Sequence, residues 1–419
     1  LPMRNIHQRY ITEEFDDKGR LVKFRAHAPE YFNYAHDVID DIGVNDPTRR
    51  AMIWCNPEGE EHTFTFADLM ELSDKAAHFL ASQGVDRGDK VIVILRRHYS
   101  FWVTALALHK IGAVAVPATF MLKEHDLDYR IKASGAKALV VTSVGDIARV
   151  VDNVMGNAGK PGFGHLDGVK LFLMNGAQYD IKGCGGTQSD ERLTGAALSG
   201  PQGVFAAGCA RPGWIDYNTG VRNAPAGWER RPIRASDPML MYFTSGTSGE
   251  PKMALHDYSY PLGHITTAKY WHGVEADGVH FTIADSGWAK TAWGKFYGQW
   301  FMEGCQLVYD FDRFHAGEIL GLVGKHRLTT FCCPPTMYRM MSLEDVDSYD
   351  LSSVRRFTTA GEALNPDLFE FWKKHTGKEI FEGFGQTESP VIVANMVGST
   401  PRPGSMGRPV PFANIEIQR

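Results

Sequence analysis

Between Tyr242 and Lys252 a strand-like run passes into two glycines, four hydroxyl side chains and a lysine. Each part meets a need of a polyphosphate. Gly246 and Gly249 let backbone amides approach phosphate oxygens, Thr244, Ser245, Thr247 and Ser248 donate hydrogen bonds, and Lys252 supplies positive charge. A flexible surface turn is the plainer alternative, but such a turn needs neither so many hydroxyls nor a lysine behind Pro251. The Walker pattern fits poorly, because it requires Gly-Lys-Ser/Thr, whereas Gly249 is followed by Glu250, Pro251, Lys252 and Met253. Far downstream, the stretch from Glu382 to Ser389 carries Phe384, Thr387 and Glu388. A carboxylate such as Glu388 is a hard oxygen ligand for Mg²⁺, and the cation would spread the charge of a departing pyrophosphate. Taken alone, Glu388 reads more simply as a solvated surface acid.

Together the two stretches resemble the signatures of the adenylate-forming superfamily, which comprises acyl-CoA synthetases, luciferases and peptide-synthetase adenylation domains. The likeness is nearest to the acetyl- and medium-chain acyl-CoA synthetases. It implies that the first loop grips the β- and γ-phosphates of ATP and that the second stretch binds AMP and magnesium. Phe384 would then stack on adenine, Thr387 would bond the α-phosphate and Glu388 would hold Mg²⁺, with Glu382, Gly383, Gly385 and Gln386 completing the nucleotide contact. Thr358 to Leu364 resembles the adenine-contacting turn of that superfamily, which implies Gly361, Glu362 and Ala363 against the base. A strand-to-helix turn with no further role is the alternative there. Ala284 to Gly294 is similar to the segment that lines the acyl pocket, making Trp288 and Trp293 candidate walls, although aromatics at this spacing also read as core. Lys269 to Gly273 and Gly404 to Pro411 likewise look like the medium-chain branch, the latter marking a small β-barrel lobe.

The resemblance implies activation of a carboxylic acid by ATP to an acyl-AMP with release of pyrophosphate, then thioester formation with CoA. Lys252, Thr387 and Glu388 are the candidate catalytic residues, Mg²⁺ is the cofactor, and ATP, the acid and CoA are the small-molecule partners. Two bulky walls point to a short- or medium-chain acid, and an aromatic acid could stack on them equally well. An adenylating enzyme that loads a carrier protein or an amine, and a non-catalytic nucleotide-binding protein, are the alternatives. The superfamily pattern continues through a ribose-binding aspartate, a hinge and a small mobile C-terminal domain. The 419 residues are therefore expected to hold the large N-terminal domain, with Ile415 to Arg419 reading as mid-strand.

Hydrophobic spacing supplies the elements that must position these residues. Thr65 and Asp68 make a capping box ahead of Phe66, Leu69, Leu72, Ala76 and Phe79, and Gly84 ends that helix. The continuous apolar run Val91 to Leu95 suits a strand covered on both faces. A second helix over 101–110, a strand over 114–117, a third helix from 126 and a strand over 138–142 follow. This alternation predicts an α/β fold of two doubly wound lobes. Residues 1–200 are assigned to the first lobe, 201–395 to the second and 396–419 to the start of the β-barrel lobe. The second sheet is expected to begin near Pro238 with Met239 to Phe243, and to include strands at 328–333, 355–359 and 378–381 with a helix over 367–375. The turn-forming stretch 183–227 reads as a loop or lobe boundary.

Composition bounds the partners. A chain of 419 residues, 43% apolar and 22% charged with a formal net charge of −5, describes a globular protein without the basic excess that attracts nucleic acid. No stretch approaches the roughly 18 uncharged apolar residues needed to span a bilayer, and the first residues lack the apolar centre of a signal peptide. Six cysteines without a CxxC pair are expected to be reduced thiols of a cytoplasmic protein. His256, His264, His272 and His280, spaced by eight, are too far apart on a helix to share a metal and are read as unrelated.

Overall fold

A computed structural model describes residues 4–160, 166–176, 208–244, 249–413 and 415. The capping box forms as expected: the Asp68 amide donates to Thr65 Oγ1 at 3.1 Å and the Thr65 amide to Asp68 Oδ2 at 2.8 Å, opening the helix Phe66–Ser82. The next helices, Ser100–Ile111 and Glu124–Ser134, also match their apolar spacing, and each stops at a glycine in the left-handed region.

The strands in chain order begin with β1 (Ile11–Phe15), β2 (Leu21–Ala26), β3 (Arg50–Cys55), β4 (Glu61–Thr65), β5 (Lys90–Ile94) and β6 (Val114–Pro117). They continue as β7 (Ala138–Thr142), β8 (Lys170–Met174), β9 (Ile215–Asp216), β10 (Pro238–Thr244), β11 (Lys252–Asp257) and β12 (Val279–Thr282). The last are β13 (Cys305–Tyr309), β14 (Thr330–Cys332), β15 (Arg356–Thr359), β16 (Ile380–Gly385), β17 (Val391–Ala394) and β18 (Arg408–Pro409). Apart from the β1–β2 hairpin they form two sheets, ordered β11-β10-β6-β5-β7-β8-β9 and β18-β17-β16-β15-β14-β12-β13-β3-β4. Strands inside each sheet pair in parallel, and antiparallel strands close the edges at β11, β4, β17 and β18.

The apolar run of β5 divides as a doubly covered strand must. Val91, Val93 and Leu95 join a core that also takes Met52, Trp54 and Val308 of the second sheet, whereas Ile92 and Ile94 face a separate core on the outer side. A third core, holding Phe281, Phe331, Phe357 and Trp372, lies under the outer helices of the second sheet.

Three expectations change. The strand read as the start of the second sheet, β10, pairs with β6 in the first, and β3 and β4 belong to the second. The runs of β10 and β3 are too apolar to declare a partner, so their sheet is decided by tertiary packing. The stretch 183–227 holds β9 and the helix Tyr217–Asn223, capped where the Asp216 carboxylate accepts from the Thr219 amide; residues 183–207 lie outside the described ones. Cys55, Cys305, Cys332 and Cys333 are free thiols, but Cys209 is disulfide-bonded, and the absence of a CxxC pair is no signal against such a bridge. Within 396–413 the strand β18 extends the second sheet, and the Ile415 to Arg419 reading falls outside the described residues except at Ile415. Among the described residues no helix is long and apolar enough to cross a membrane.

Candidate active site

The described ends of the phosphate-loop segment lie in the antiparallel pair β10–β11, with Thr244 paired across the ladder to Lys252. Ser245, Gly246, Thr247 and Ser248 lie outside the described residues. Gly249 has φ 117°, a region that side chains disfavour. The base of the hairpin is fixed from the helix Glu124–Ser134: the Tyr129 hydroxyl donates to the Pro251 carbonyl at 2.9 Å, and the Arg130 guanidinium sits 4.7 Å above the Phe243 ring. Lys252 is exposed and makes no ion pair among the described residues, so its ammonium is available to an anion.

The second signature occupies β16 and the turn after it. Side chains alternate along a strand, and the alternation here is strict in its effect. A Cβ on Gly383 would lie 2.6 Å from Trp271 Cε2, and one on Gly385 would lie 2.1 Å from Trp293 Cη2. Only glycine fits against these indoles, and Phe384 between them points the other way, 38% exposed. Glu382, paired across the sheet with Thr359, is 4% exposed, and burial pushes its carboxyl pKa up. Its Oε1 accepts from the Leu364 amide at 3.3 Å, so Glu382 ties the 360–364 turn to β16.

That turn is the candidate adenine contact. Gly361, at φ 103°, makes the bend; Glu362 accepts from the Thr336 hydroxyl at 2.6 Å; and the exposed Ala363 follows. Lys290 of the acyl-pocket-like segment donates to the Ala360 carbonyl at 3.0 Å, which brings that segment to the same turn. Its two tryptophans differ sharply. Trp293 is 6% exposed and fills the space behind Gly385, while Trp288 is 56% exposed.

Beyond β16 the chain turns on itself. The Gln386 amide donates to Ser389 Oγ and the Ser389 amide to the Gln386 carbonyl, both at 3.2 Å, which puts Thr387 and Glu388 at the tip. Glu388 is exposed and makes no ion pair among the described residues. No group of three or more His, Cys, Asp or Glu that could hold a metal occurs among them. A lone free carboxylate suits Mg²⁺, which prefers one or two carboxylates plus substrate phosphates to a protein cage.

The two signatures stand on different sheets and come together near one histidine of β11. His256 of β11 lies against the backbone of Thr387 and in the field of the Glu388 carboxylate. Burial lowers its pKa, while the Thr387 backbone, Asp257 and Glu388 oppose that shift. The four histidines form no metal-holding group among the described residues, but they pack in two pairs. His256 stacks on Tyr260 at 3.9 Å, Tyr260 meets His264 at 4.7 Å, and His272 lies 4.6 Å from His280. Spacing by eight suggests one helix, whereas a strand, a helix, a π-helical turn and a second strand carry them in the structure. A second missed group ties the sheets together at their strand ends: Arg97 pairs with Asp285 at 3.1 Å and Arg96 with Asp310 at 3.6 Å. Charged residues placed directly after the apolar runs of β5 and β13 were the available signal.

Comparison with known proteins agrees with this arrangement. The profile of the family described as "AMP-binding enzyme" matches residues 40–418. The chain belongs to that family. Among curated family members it is 32% identical over 400 residues to the human mitochondrial acyl-coenzyme A synthetase ACSM5, covering 94% of this chain and 62% of that protein. It is 31% identical over 401 residues to human ACSM3, covering 94% and 61%. The chain thus spans about three fifths of the length of these relatives. Among solved structures, the anthranilate CoA ligase AuaEII in complex with anthranoyl-AMP superposes with a TM-score of 0.73 at 23% identity, over 91% of this chain and 65% of that one. A benzoate CoA ligase from Burkholderia xenovorans LB400 gives 0.71 at 20% identity, over 91% and 66%. These structural likenesses establish the large-domain α/β fold.

Proposed function

We propose that this chain is the nucleotide- and acid-binding part of an AMP-forming acyl-CoA synthetase. The observation that carries the reading is that the β10–β11 phosphate-loop hairpin and the Thr387–Glu388 turn come together around the helix Tyr260–Thr266, where His256 stacks on Tyr260 and Gly263 faces Pro390. A polyphosphate gripped by the hairpin would thereby lie beside the carboxylate suited to a metal. In the first half-reaction a substrate carboxylate oxygen attacks the α-phosphorus of ATP, and the bond from that phosphorus to the β-bridging oxygen breaks. Pyrophosphate leaves and an acyl-AMP remains. Lys252 and the hydroxyls beginning at Thr244 hold the departing pyrophosphate, Thr387 bonds the α-phosphate, and Gly361 to Ala363 with Phe384 hold adenine. Glu388 would hold Mg²⁺, which supplies charge neutralisation of the phosphates. The protein's own share is mainly placement and fixed charge, as in phosphoryl transfer generally.

In the second half-reaction the CoA sulfur attacks the acyl carbonyl, the thiol proton is lost and AMP departs. The names of the relatives, acyl-coenzyme A synthetases, support CoA as the acceptor. Short- and medium-chain acids are proposed substrates because the acyl-pocket-like segment carries two bulky tryptophans, Trp288 and Trp293, on which an aromatic acid could stack as well. The test is carboxylate-dependent pyrophosphate release by the natural full-length protein, using acids from acetate to dodecanoate plus benzoate, each with and without CoA. Release favouring one acid class and accelerated by CoA is expected. No release with any acid would overturn the reading, and acceleration by a carrier protein or an amine in place of CoA would reassign the acceptor.

A further inference from the structure

An in-line displacement needs its two phosphate-holding halves at a fixed separation, yet the hairpin belongs to the first sheet and the 386–390 turn to the second. What stands between them is the helix Tyr260–Thr266. Its Tyr260 ring stacks on His256 of the hairpin, with centroids 3.9 Å apart and planes at 29°. Its Gly263 faces the turn closely: a Cβ there would meet Pro390 Cγ at 3.3 Å. Just beyond it, Thr267 Oγ1 accepts from the Val391 amide at 3.5 Å. On the inner side His264 lies 6.3 Å from Trp293, the ring that backs Gly385. The helix therefore touches the hairpin on one side and the turn on the other.

We propose that His256 and the helix Tyr260–Thr266 act as a spacer that sets the distance between the phosphate-loop hairpin and the Thr387–Glu388 turn, with His256 as a positioning residue. This deepens the proposed activity and rests on it. An ordinary core histidine would contribute packing alone, whose loss would fall on stability and on both substrates alike. A spacer predicts a loss selective for Mg·ATP, because only that ligand would span both halves.

The experiment uses the full-length protein with the acid saturating and Mg·ATP varied, then the reverse, for wild type, His256→Ala, His256→Gln and Gly263→Val. His256→Ala should lower kcat/KM for Mg·ATP roughly tenfold or more while KM for the acid stays within about twofold. His256→Gln, which keeps a planar polar side chain of similar reach against Tyr260, should recover most of the loss. Gly263→Val removes no polar group but wedges the helix from Pro390, and it should reproduce the alanine profile. An unchanged kcat/KM for Mg·ATP in either His256→Ala or Gly263→Val would overturn the spacer, as would equal losses for both substrates. Should His256→Ala fail to fold, Gly263→Val decides alone. If the wild type releases no pyrophosphate with any acid, the activity reading fails by itself. Calorimetric titration with Mg·ATP then judges the spacer: weaker binding to the variants supports it and equal binding overturns it.

Discussion

Glu388 owes its availability to where the turn puts it. Two mutual hydrogen bonds between Gln386 and Ser389 close the turn without its carboxylate, which stands exposed and outside any ion pair among the described residues. Replacing it with glutamine keeps volume and removes charge, so Glu388→Gln should leave the melting temperature unchanged. Mg-dependent turnover should fall by about 10²-fold or more, comparable to removing one transition-state charge partner. Wild-type turnover in that variant would remove Glu388 from the site. Lys252 differs in kind: it begins an edge strand, carries charge without structural duty, and its substitution is expected to weaken Mg·ATP binding without unfolding the hairpin. A calorimetric titration of Lys252→Met with Mg·ATP checks this, and unchanged affinity would contradict it.

The strand β16 packs on one side against Trp271 and Trp293 and on the other presents the exposed Phe384. Gly385→Ala places a methyl carbon 2.1 Å from Trp293 and 2.4 Å from the Pro390 carbonyl, so strand and turn must shift together. An overpacking cost of about 1–3 kcal/mol is expected, with loss of Mg·ATP affinity, read as a lower denaturant midpoint and a weaker titration. Full stability in Gly385→Ala would show that the indole yields. The glycines of the second signature were visible in sequence, but their reason was not, because Trp271 and Trp293 arrive from distant segments. The same division runs through the fold. The capping box at Thr65, the strand Val91 to Leu95 and the helix ending at Gly112 were legible because their causes are local. The sheet to which β10 belongs was not, since an apolar run states that it is buried without stating beside what. His256 was passed over because periodic spacing was read as one helix, whereas its neighbours Tyr260 and Thr387 are brought to it by a strand, a turn and the opposite sheet.

For the whole molecule, the contact between the two sheets carries charge into a dry place. Lys295 is buried with its Nζ donating to the Ala284 carbonyl at 3.1 Å, facing Arg97, Asp285 and Asp310, and its ammonium stands 5.7 Å from the Trp102 ring. Burial first and then Arg97 push its pKa down from the usual 10.5 to about 7, against the pull of Asp285 and Asp310. Between those two values the unfolded chain binds the proton that the folded chain has released, so stability rises with pH across that window. Lys295→Met should flatten that rise, measured as the denaturant midpoint between pH 7 and 10, while a slope equal to wild type would contradict the assignment. The chemistry itself asks which phosphorus the acid attacks. The decisive measurement is turnover of a carboxylic acid labelled with ¹⁸O in its carboxylate by the full-length protein with Mg·ATP and CoA, followed by mass spectrometry of the phosphates. Attack on the α-phosphorus puts one ¹⁸O into AMP and none into pyrophosphate. Label in inorganic phosphate, with ADP as the nucleotide product, would contradict an adenylating site.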